Sequence, residues 1–204
     1  NGAFDLDIIT DSAIAGIGDV IGGTTALATL DINQAAGATG AVTISNNIGT
    51  TTAAGVTGAM RIGNANTSTL TLAGTVYNVN AATYTAATGE NIDLTAGTTT
   101  TFTSSADAIT FATGTVDMAN GSNLVVNSAG GDISVAGIAG NTVEDVTLNA
   151  AAGNVTVGQI GALAAEINDV TITGATINLG GNINTDDDAG AAGDVDLNGA
   201  VVLT

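Results

Sequence analysis

The chain has 204 residues, of which 19 are acidic and one, Arg61, is basic, so its formal net charge is −18. It contains no His, Cys, Lys, Pro or Trp. Without His or Cys the common catalytic triads and thiol nucleophiles are excluded. The negative charge excludes nucleic-acid binding, which needs Lys and Arg at the phosphates. No apolar stretch reaches the length of a membrane span, so we expect no membrane insertion.

The hydrophobic share of the chain argues against disorder. Hydrophobic residues make up 45% of the sequence, and the β-branched ones occur in short runs that alternate with polar residues. Large side chains are scarce, because only 2% of the residues are aromatic. A tube that is one side chain wide can be filled by Ala, Val, Ile and Leu, whereas a compact sandwich usually needs larger side chains. The composition therefore favours a solenoid.

The first third of the chain carries three strand-like segments. Phe4 to Ile8 alternates apolar and acidic residues, and Ala41 to Ile44 is a clearer strand. Between them, Thr24 to Ala36 is compatible with a short helix or a strand, and Leu30-Asp31-Ile32 favours the strand. From Gly49 to Gly63 the pattern is lost among Thr, Ala and Gly, which predicts a loop or an irregular coil.

From residue 69 onward the alternation is steadier. Strand-like segments occur at five places: Leu70–Leu72, Val76–Val79, Ile92–Leu94, Ile109–Phe111 and Leu124–Val126. Leu70 is as far from Ile92 in the sequence as Leu124 is from Val146, whereas Ile109 follows Ile92 at a shorter interval. Either one coil is shorter, or the strand at Ile109 lies on a different side of the tube.

The last third of the chain repeats itself in three interleaved sets. The first set starts at an aspartate and recurs at nearly equal intervals: Asp145, Asp169 and Asp194. The second starts at a polar residue, recurs at equal intervals and continues into a final apolar run: Asp132, Asn154, Thr176 and then Val201-Val202-Leu203. The third is an isoleucine after a glycine-containing turn: Ile138, Ile160 and Ile183.

Short strands and corners that recur at intervals of about 22–25 residues describe the coils of a β-solenoid. Each coil lies about 4.8 Å above the last and satisfies its open hydrogen-bonding edge. We predict an all-β parallel β-helix, with three strands per coil preferred over two. One domain spans residues 1–204, less regular over 1–68 and most regular over 69–204. The corner at Gly161 to Ile167 is compatible with one helical turn.

Two groups of aspartates are candidate metal ligands. If the coils stack in register, Asp145, Asp169 and Asp194 form a column, and neighbouring like charges at this spacing repel by roughly 1 kcal/mol even in water. One interpretation is that Ca²⁺, bound by carboxylates and turn carbonyls, offsets this repulsion. The other is that each aspartate caps its own turn through backbone N–H groups.

The densest acidic cluster lies near the end of the chain: Asp186, Asp187 and Asp188, followed by Asp194 and Asp196. It has neither EF-hand spacing nor the glycine–aspartate nonapeptide of calcium-binding β-rolls. The cluster is either a solvated loop or a site for calcium or for a cation shared between subunits. Ca²⁺ is the one cofactor that the sequence suggests.

Several segments resemble the repeats of filamentous-haemagglutinin-type exoproteins: Ile92–Gly97, Leu124–Val135 and Val146–Val157. The resemblance covers residues 69–204 and consists of short degenerate repeats. It implies a right-handed parallel β-helix on a bacterial surface, exported by a two-partner or autotransporter route, with an adhesive or structural role. It brings no catalytic residue with it.

The ends of the predicted solenoid are candidate interfaces. Natural solenoids and sheets protect open ends with Lys, Pro or capping elements, and this sequence has no Lys or Pro. Val201-Val202-Leu203 begins a coil that the Phe4 to Ile8 strand of another copy could complete. We predict head-to-tail homo-oligomers with six apolar residues in the interface: Phe4, Leu6, Ile8, Val201, Val202 and Leu203.

The predicted function is that of a structural subunit of an extracellular filament, sheath or surface layer, and not of an enzyme. A composition without Lys is typical of an exported protein. Because the sequence shows neither an initiator Met nor a signal peptide, we expect a processed product or a piece of a longer chain. The first alternative is a passive β-helical stalk segment of a large adhesin. The second is a polysaccharide-acting solenoid with a carboxylate pair, which the scattered Glu90, Glu144 and Glu166 disfavour.

Overall fold

A computed structural model describes residues 4–9, 14–119, 121–141, 143–162, 166–185 and 193–204. Throughout these residues the strands pair in parallel and form one continuous sheet. The sheet has seventeen strands: β1 (Asp5–Ile8), β2 (Ile14–Ile17), β3 (Thr29–Ile32), β4 (Val42–Ile44), β5 (Val56–Ile62), β6 (Leu70–Leu72), β7 (Val76–Thr85), β8 (Asn91–Leu94), β9 (Thr100–Thr103), β10 (Ile109–Thr113), β11 (Thr115–Met118), β12 (Leu124–Asn127), β13 (Ile133–Ala139), β14 (Val146–Asn149), β15 (Val155–Ile160), β16 (Val170–Leu179) and β17 (Val195–Leu203).

The sheet coils into a β-solenoid of about eight turns with roughly 24 residues in each turn. Each turn crosses three faces, and the stretch of chain that one turn contributes to a face is called a rung. Each rung is identified below by one residue, chosen so that the residues given for a face are register partners. In the described part of the chain, face 1 has nine rungs: Leu6, Leu30, Met60, Ala82, Ile109, Ile133, Val155, Ile177 and Val201. Face 2 has eight: Ile14, Val42, Leu70, Ile92, Val116, Ile138, Ile160 and Ile183. Face 3 has eight: Ile21, Ile48, Tyr77, Phe102, Val126, Leu148, Ile172 and Leu197.

The core is the inside of the tube. Side chains alternate between the two sides of a strand, so Leu70 and Leu72 are buried while Thr71 between them is half-buried. Four aromatic rings fill the middle of the tube in two stacked pairs. Tyr77 stacks on Phe102 with ring centroids 4.9 Å apart, and the second pair, Tyr84 and Phe111, has centroids 5.0 Å apart. The rings of one pair meet those of the other edge to face, as aromatic quadrupoles prefer.

At the corners between strands, the backbone is tightly turned and lies close to the backbone of other corner residues. At the corner after β14, the Asn149 side-chain oxygen accepts the Ala151 N–H at 3.0 Å, and Ala151 has a positive φ of 49°. Elsewhere two glycines meet directly, since a Cβ on Gly55 would lie 2.3 Å from the Gly49 nitrogen. Glycine holds most of the positive-φ corner positions of the described residues, and Asn33, Ala106, Ala129 and Ala151 hold the others.

The fold confirms most of the predicted order. The first, second and third repeat sets are rungs of faces 3, 1 and 2. Ile92 and Ile109 lie on different faces, which explains their short separation in the sequence. The strand at Leu30 is confirmed as β3.

One expectation is wrong. The segment from Gly49 to Gly63 was predicted to be a loop or an irregular coil, but it contains β5. Val56, Met60 and Ile62 supply the buried side chains, and small residues between them hide the alternation. The helical turn predicted at Gly161 to Ile167 falls largely on residues 163–165, outside the described residues. The right-handed coiling stays a prediction, and so does the single domain with a less regular part over residues 1–68 and a more regular part over 69–204.

Candidate functional site

The lower end of the solenoid is the first rung of face 1, formed by β1. Along one edge β1 pairs with β3, and no other described strand pairs with it. Phe4 is 72% exposed, Leu6 is 37% exposed and Ile8 is half-buried. One rung higher in the same columns, Leu30 and Ile32 are fully buried. The lower rung therefore presents apolar side chains that nothing covers from below among the described residues.

The upper end is the last rung of face 1, formed by the second half of β17. Val201 and Val202 are each 45% exposed, and Leu203 is 81% exposed. Except for Val143, every exposed large apolar side chain of the described residues lies in or beside the first or last rung: Phe4, Leu6, Ile9, Val20, Val195, Val201, Val202 and Leu203. The structure thus places all six predicted interface residues at the two ends.

The two end strands belong to one ladder. Leu6 and Val201 are the first and last members of one face 1 column, and the same register relates Ile8 to Leu203. A copy stacked end to end would therefore continue the same apolar columns.

The backbone groups at the two ends are complementary. In a parallel pair, each residue directs its N–H and C=O to one neighbour, and the next residue directs them to the other. The Ile8 carbonyl accepts the Asn33 N–H of the rung above at 2.7 Å, so Asp5 and Asp7 direct their backbone groups downward. At the other end the Leu179 carbonyl accepts the Thr204 N–H at 3.0 Å. By the same alternation Val201 and Leu203 direct theirs upward.

Three charged side chains near the lower end share one outward column of face 1: Asp7, Asp31 and Arg61. The Arg61 guanidinium donates to both carboxylate oxygens of Asp31, with Nε 2.8 Å from Oδ1. Hydrogen bonding and attraction to Asp31 raise the pKa of Arg61, and Asp7 adds to this. The last residue of this column at the upper end is the uncharged Val202.

The predicted aspartate column exists. Asp145, Asp169 and Asp194 precede the face 3 strands on neighbouring rungs. Asp169 Oδ1 accepts the backbone N–H of Asp194 at 2.9 Å, and Asp145 Oδ1 accepts the Asn168 side-chain amide at 2.8 Å. The backbone N–H that Asp169 caps belongs to the next rung and not to its own turn, because the register stacks the two positions.

No three acidic side chains within the described ranges lie close enough to hold a metal ion. Asp196 is exposed in β17, next to Thr171 in the ladder. Asp186, Asp187 and Asp188 lie outside the described residues. The calcium site stays a prediction, and it depends on those three aspartates.

Sequence reasoning missed a pair of carboxylates on face 2. Asp93 of β8 and Asp117 of β11 are register neighbours beside an open cavity of about 320 Å³. Partial burial raises the pKa of both, and Asp117 raises that of Asp93 further, as Glu144 does for Asp117. Asn91 Nδ2 donates to Asp117 Oδ2 at 2.9 Å. Asp93 and Asp117 are one coil length apart in the sequence, and this separation could have predicted that they are neighbours. The prediction was not made because β11 was not recognised as a strand.

A buried carboxylate was also missed. Glu144 is fully buried, and its carboxylate accepts the backbone N–H groups of Gly121 at 2.9 Å, Asn141 at 2.7 Å and Val143 at 3.2 Å. It therefore joins the corners of two successive coils. Nothing in the sequence marks Glu144, because the groups that it binds are backbone groups.

The two tyrosines are fully buried in the tube. Neither Tyr77 nor Tyr84 therefore offers a ring on which a sugar could stack. Among the described residues, no helix is both long and apolar enough to cross a bilayer.

No family model, curated protein or solved structure matches this chain. The parallel β-solenoid is compatible with the β-helical exoproteins that its repeats resemble. The similarity to that group is therefore limited to the β-solenoid fold and to short, degenerate repeats.

Proposed function

We propose that this protein is a structural subunit of an extracellular filament, sheath or surface layer, and that its copies join head to tail. One observation carries the proposal: β1 and Val201–Leu203, at opposite ends of the solenoid, are parts of one ladder and both expose apolar side chains. Strand addition at such an edge supplies main-chain hydrogen bonds, while the side chains set the register.

The energetics favour contact at the ends over contact at the sides. Each Å² of apolar surface removed from water contributes about 25 cal/mol, and the exposed apolar side chains are concentrated at the ends. The net charge of −18 opposes association elsewhere on the surface. This combination favours linear assemblies over irregular aggregates.

The proposal places the protein outside the cell and gives it no catalytic step. Calcium enters as a proposed stabiliser, bound by Asp186, Asp187 and Asp188 with Asp194 and Asp196. An assembly that forms equally well in a calcium chelator would remove calcium from the proposal and leave the strand contacts.

Light scattering and negative-stain microscopy of the purified chain test the proposal, with calcium and with chelator. We expect fibres whose length grows with protein concentration. Leu203→Asp should abolish them, whereas Val143→Asp, a matched change of an exposed apolar residue away from the ends, should not. Monodisperse monomers under all conditions would refute the proposal.

The same columns also suit a passive stalk segment of a large adhesin. In a longer chain, further coils of the same polypeptide would cover the two end rungs in the same register. Mass spectrometry of the native product separates the two functions. A mass near 19.5 kDa supports the subunit, and a much larger mass supports the stalk.

A further inference from the structure

The faces of the solenoid do not have equal numbers of rungs. Counted over the described strands, face 1 has nine rungs, and faces 2 and 3 have eight each. If β1 of one copy were added on top of Val201–Leu203 of another, face 1 would be continuous. Faces 2 and 3 would each lack one rung at every joint. Each gap would leave open strand edges next to the apolar interior.

From this mismatch, and on the basis of the proposed function, we propose that copies join by strand exchange: Ala200–Leu203 of one copy replaces β1 on β3 of the next. Each copy then contributes eight rungs to every face. Val201 lies beside Leu30 and Leu203 beside Ile32 of the neighbouring copy. The joint has the same three strands per coil as the interior of the solenoid.

The side chains of the two strands are interchangeable in this slot. Leu6 and Ile8 of β1 occupy the columns of Leu30 and Ile32. Val201 and Leu203 occupy the same two columns eight rungs away. Replacing one strand by the other keeps an apolar residue in both columns, and the upward and downward backbone groups still match.

Charge favours the exchanged strand. In its own copy β1 places Asp7 directly beside Asp31, and like charges at such positions destabilise a strand pair. The exchanged strand places Val202 there and leaves the Asp31–Arg61 ion pair in place. The exchange gives up one hydrogen bond, from Thr29 Oγ1 to Asp5 Oδ1 at 2.8 Å, and the weaker attraction of Asp7 for Arg61.

The two end strands are not held equally. β1 pairs with β3 at four register positions and ends there. Ala200–Leu203 also pairs with β16 at four positions on face 1, but the same strand extends onto face 3, where Val195–Asn198 pairs with β16 at four more. The strand with fewer partners opens at lower cost, because end segments with few contacts have the lowest local stability. β1 is therefore the strand that leaves, and β17 is the strand that invades.

Cysteine cross-linking tests the exchange, because the chain has no cysteine of its own. Single-cysteine copies are mixed in equal amounts, so that each mixed disulfide joins two molecules. Exchange brings Val202→Cys beside Asp31→Cys, and direct addition brings Val202→Cys beside Asp7→Cys. Register neighbours in adjacent strands are within bridging distance, whereas residues two rungs apart are about 9.6 Å from each other, beyond the limit of about 7 Å.

The expected result is a yield of the 202–31 disulfide at least about tenfold above that of the 202–7 disulfide. Peptide mapping identifies each bridge, and Val143→Cys mixed with Asp31→Cys gives the background. Fibres that contain mainly the 202–7 bridge would overturn the exchange and leave the proposed function standing. Monomers without either bridge would overturn both.

A second variant does not depend on a disulfide. Leu6→Asp weakens the seat of β1 without touching the invading strand. Strand exchange predicts that this variant forms fibres at least as fast as the unchanged chain, since the slot on β3 is easier to open. Direct addition predicts loss of fibres, and that outcome would contradict the exchange.

Discussion

Rungs in the middle of the solenoid and rungs at its ends have the same types of apolar residue, but these residues are buried to different extents. Leu30 is fully buried, and Leu6, one rung below in the same column, is 37% exposed. At the other end Leu179 is 8% exposed and Leu203, one rung above, is 81% exposed. A side chain in this fold is thus buried by the rungs above and below it. Stability is accordingly a sum of contacts between neighbouring coils.

The largest expected difference in the free energy of unfolding is between two leucine-to-alanine substitutions, one in the middle of the solenoid and one at its end. Leu148→Ala removes a fully buried side chain from the middle of face 3 and should lower the free energy of unfolding by about 3 kcal/mol. Leu203→Ala removes an 81% exposed side chain and should change it by less than about 0.5 kcal/mol. Urea unfolding at a concentration where scattering shows monomers gives both values. Equal losses would mean that the end rung is as well covered as the middle.

Buried polar groups extend the comparison. Glu144→Gln replaces a carboxylate that accepts three backbone N–H groups by an amide that has one acceptor oxygen, so it should cost about 2 kcal/mol. Glu90→Gln, at an exposed position, is the control and should lie within about 0.5 kcal/mol of the unchanged chain. A neutral Glu144→Gln variant in the same urea assay would show that the corners do not need this carboxylate.

The two tyrosines should respond with opposite signs. The Tyr84 hydroxyl is buried and has no hydrogen-bond partner among the described residues, so Tyr84→Phe should stabilise the fold by about 1 kcal/mol. The Tyr77 hydroxyl accepts the Gly74 N–H at 3.0 Å, so Tyr77→Phe should destabilise it by a similar amount, about 1 kcal/mol. Thermal unfolding of both variants checks the signs, and two shifts in the same direction would contradict the hydrogen-bond assignment.

The smallest effect concerns pH. Partial burial raises the pKa of Asp93 and Asp117 above the ordinary carboxyl value of 3.8, and repulsion adds to this, from Asp117 at Asp93 and from Glu144 at Asp117. Their contribution to stability is present below that value and is lost as the pH rises through the raised pKa. Asp117→Asn should therefore stabilise the fold near neutral pH by about 0.5 kcal/mol, and the gain should disappear in acid.

A pH series of urea unfolding midpoints measures this difference. Asp107→Asn, at an exposed corner, serves as the control and should leave the midpoints unchanged. A stabilisation by Asp117→Asn that stays constant from acid to neutral pH would show that repulsion between Asp93 and Asp117 is not its cause.

The sequence predicts the register well where the coils are equal in length. Ile133 and Val155 are separated by one regular repeat and lie on adjacent rungs, because both supply the same inward column. Leu30 and Met60 are also on adjacent rungs, but a longer stretch of sequence separates them. The additional residues lie in corners, where they do not affect the core, so the repeat is lost from the sequence. In β5 the small residues Gly58 and Ala59 also interrupt the alternation, and for both reasons the segment was mistaken for a loop.

Of the candidate site, the sequence predicts the parts that depend on position in a column. The position of the apolar residues of β1 and of the end of β17 in the two end rungs is confirmed, and their role as an interface stays a prediction. This position was predictable because the first and last rungs have an open edge whatever the length of the corners. The Asp31–Arg61 ion pair, the Asp93–Asp117 pair and the buried Glu144 were not identified. These contacts depend on which rungs are neighbours and on how the corners fold. The alternation of apolar and polar residues within a short strand predicts neither.

The ion pair of Arg61 with Asp31 has a consequence for how threads of this protein would be spaced. The chain has no other basic side chain, so no lateral surface offers a positive partner to a parallel thread. Parallel threads repel over the screening length, which is about 10 Å at 0.1 M salt and shorter at higher ionic strength. If the protein assembles as proposed, the ionic strength would therefore set the lateral spacing of its filaments, which would stay apart in dilute salt and form bundles in concentrated salt.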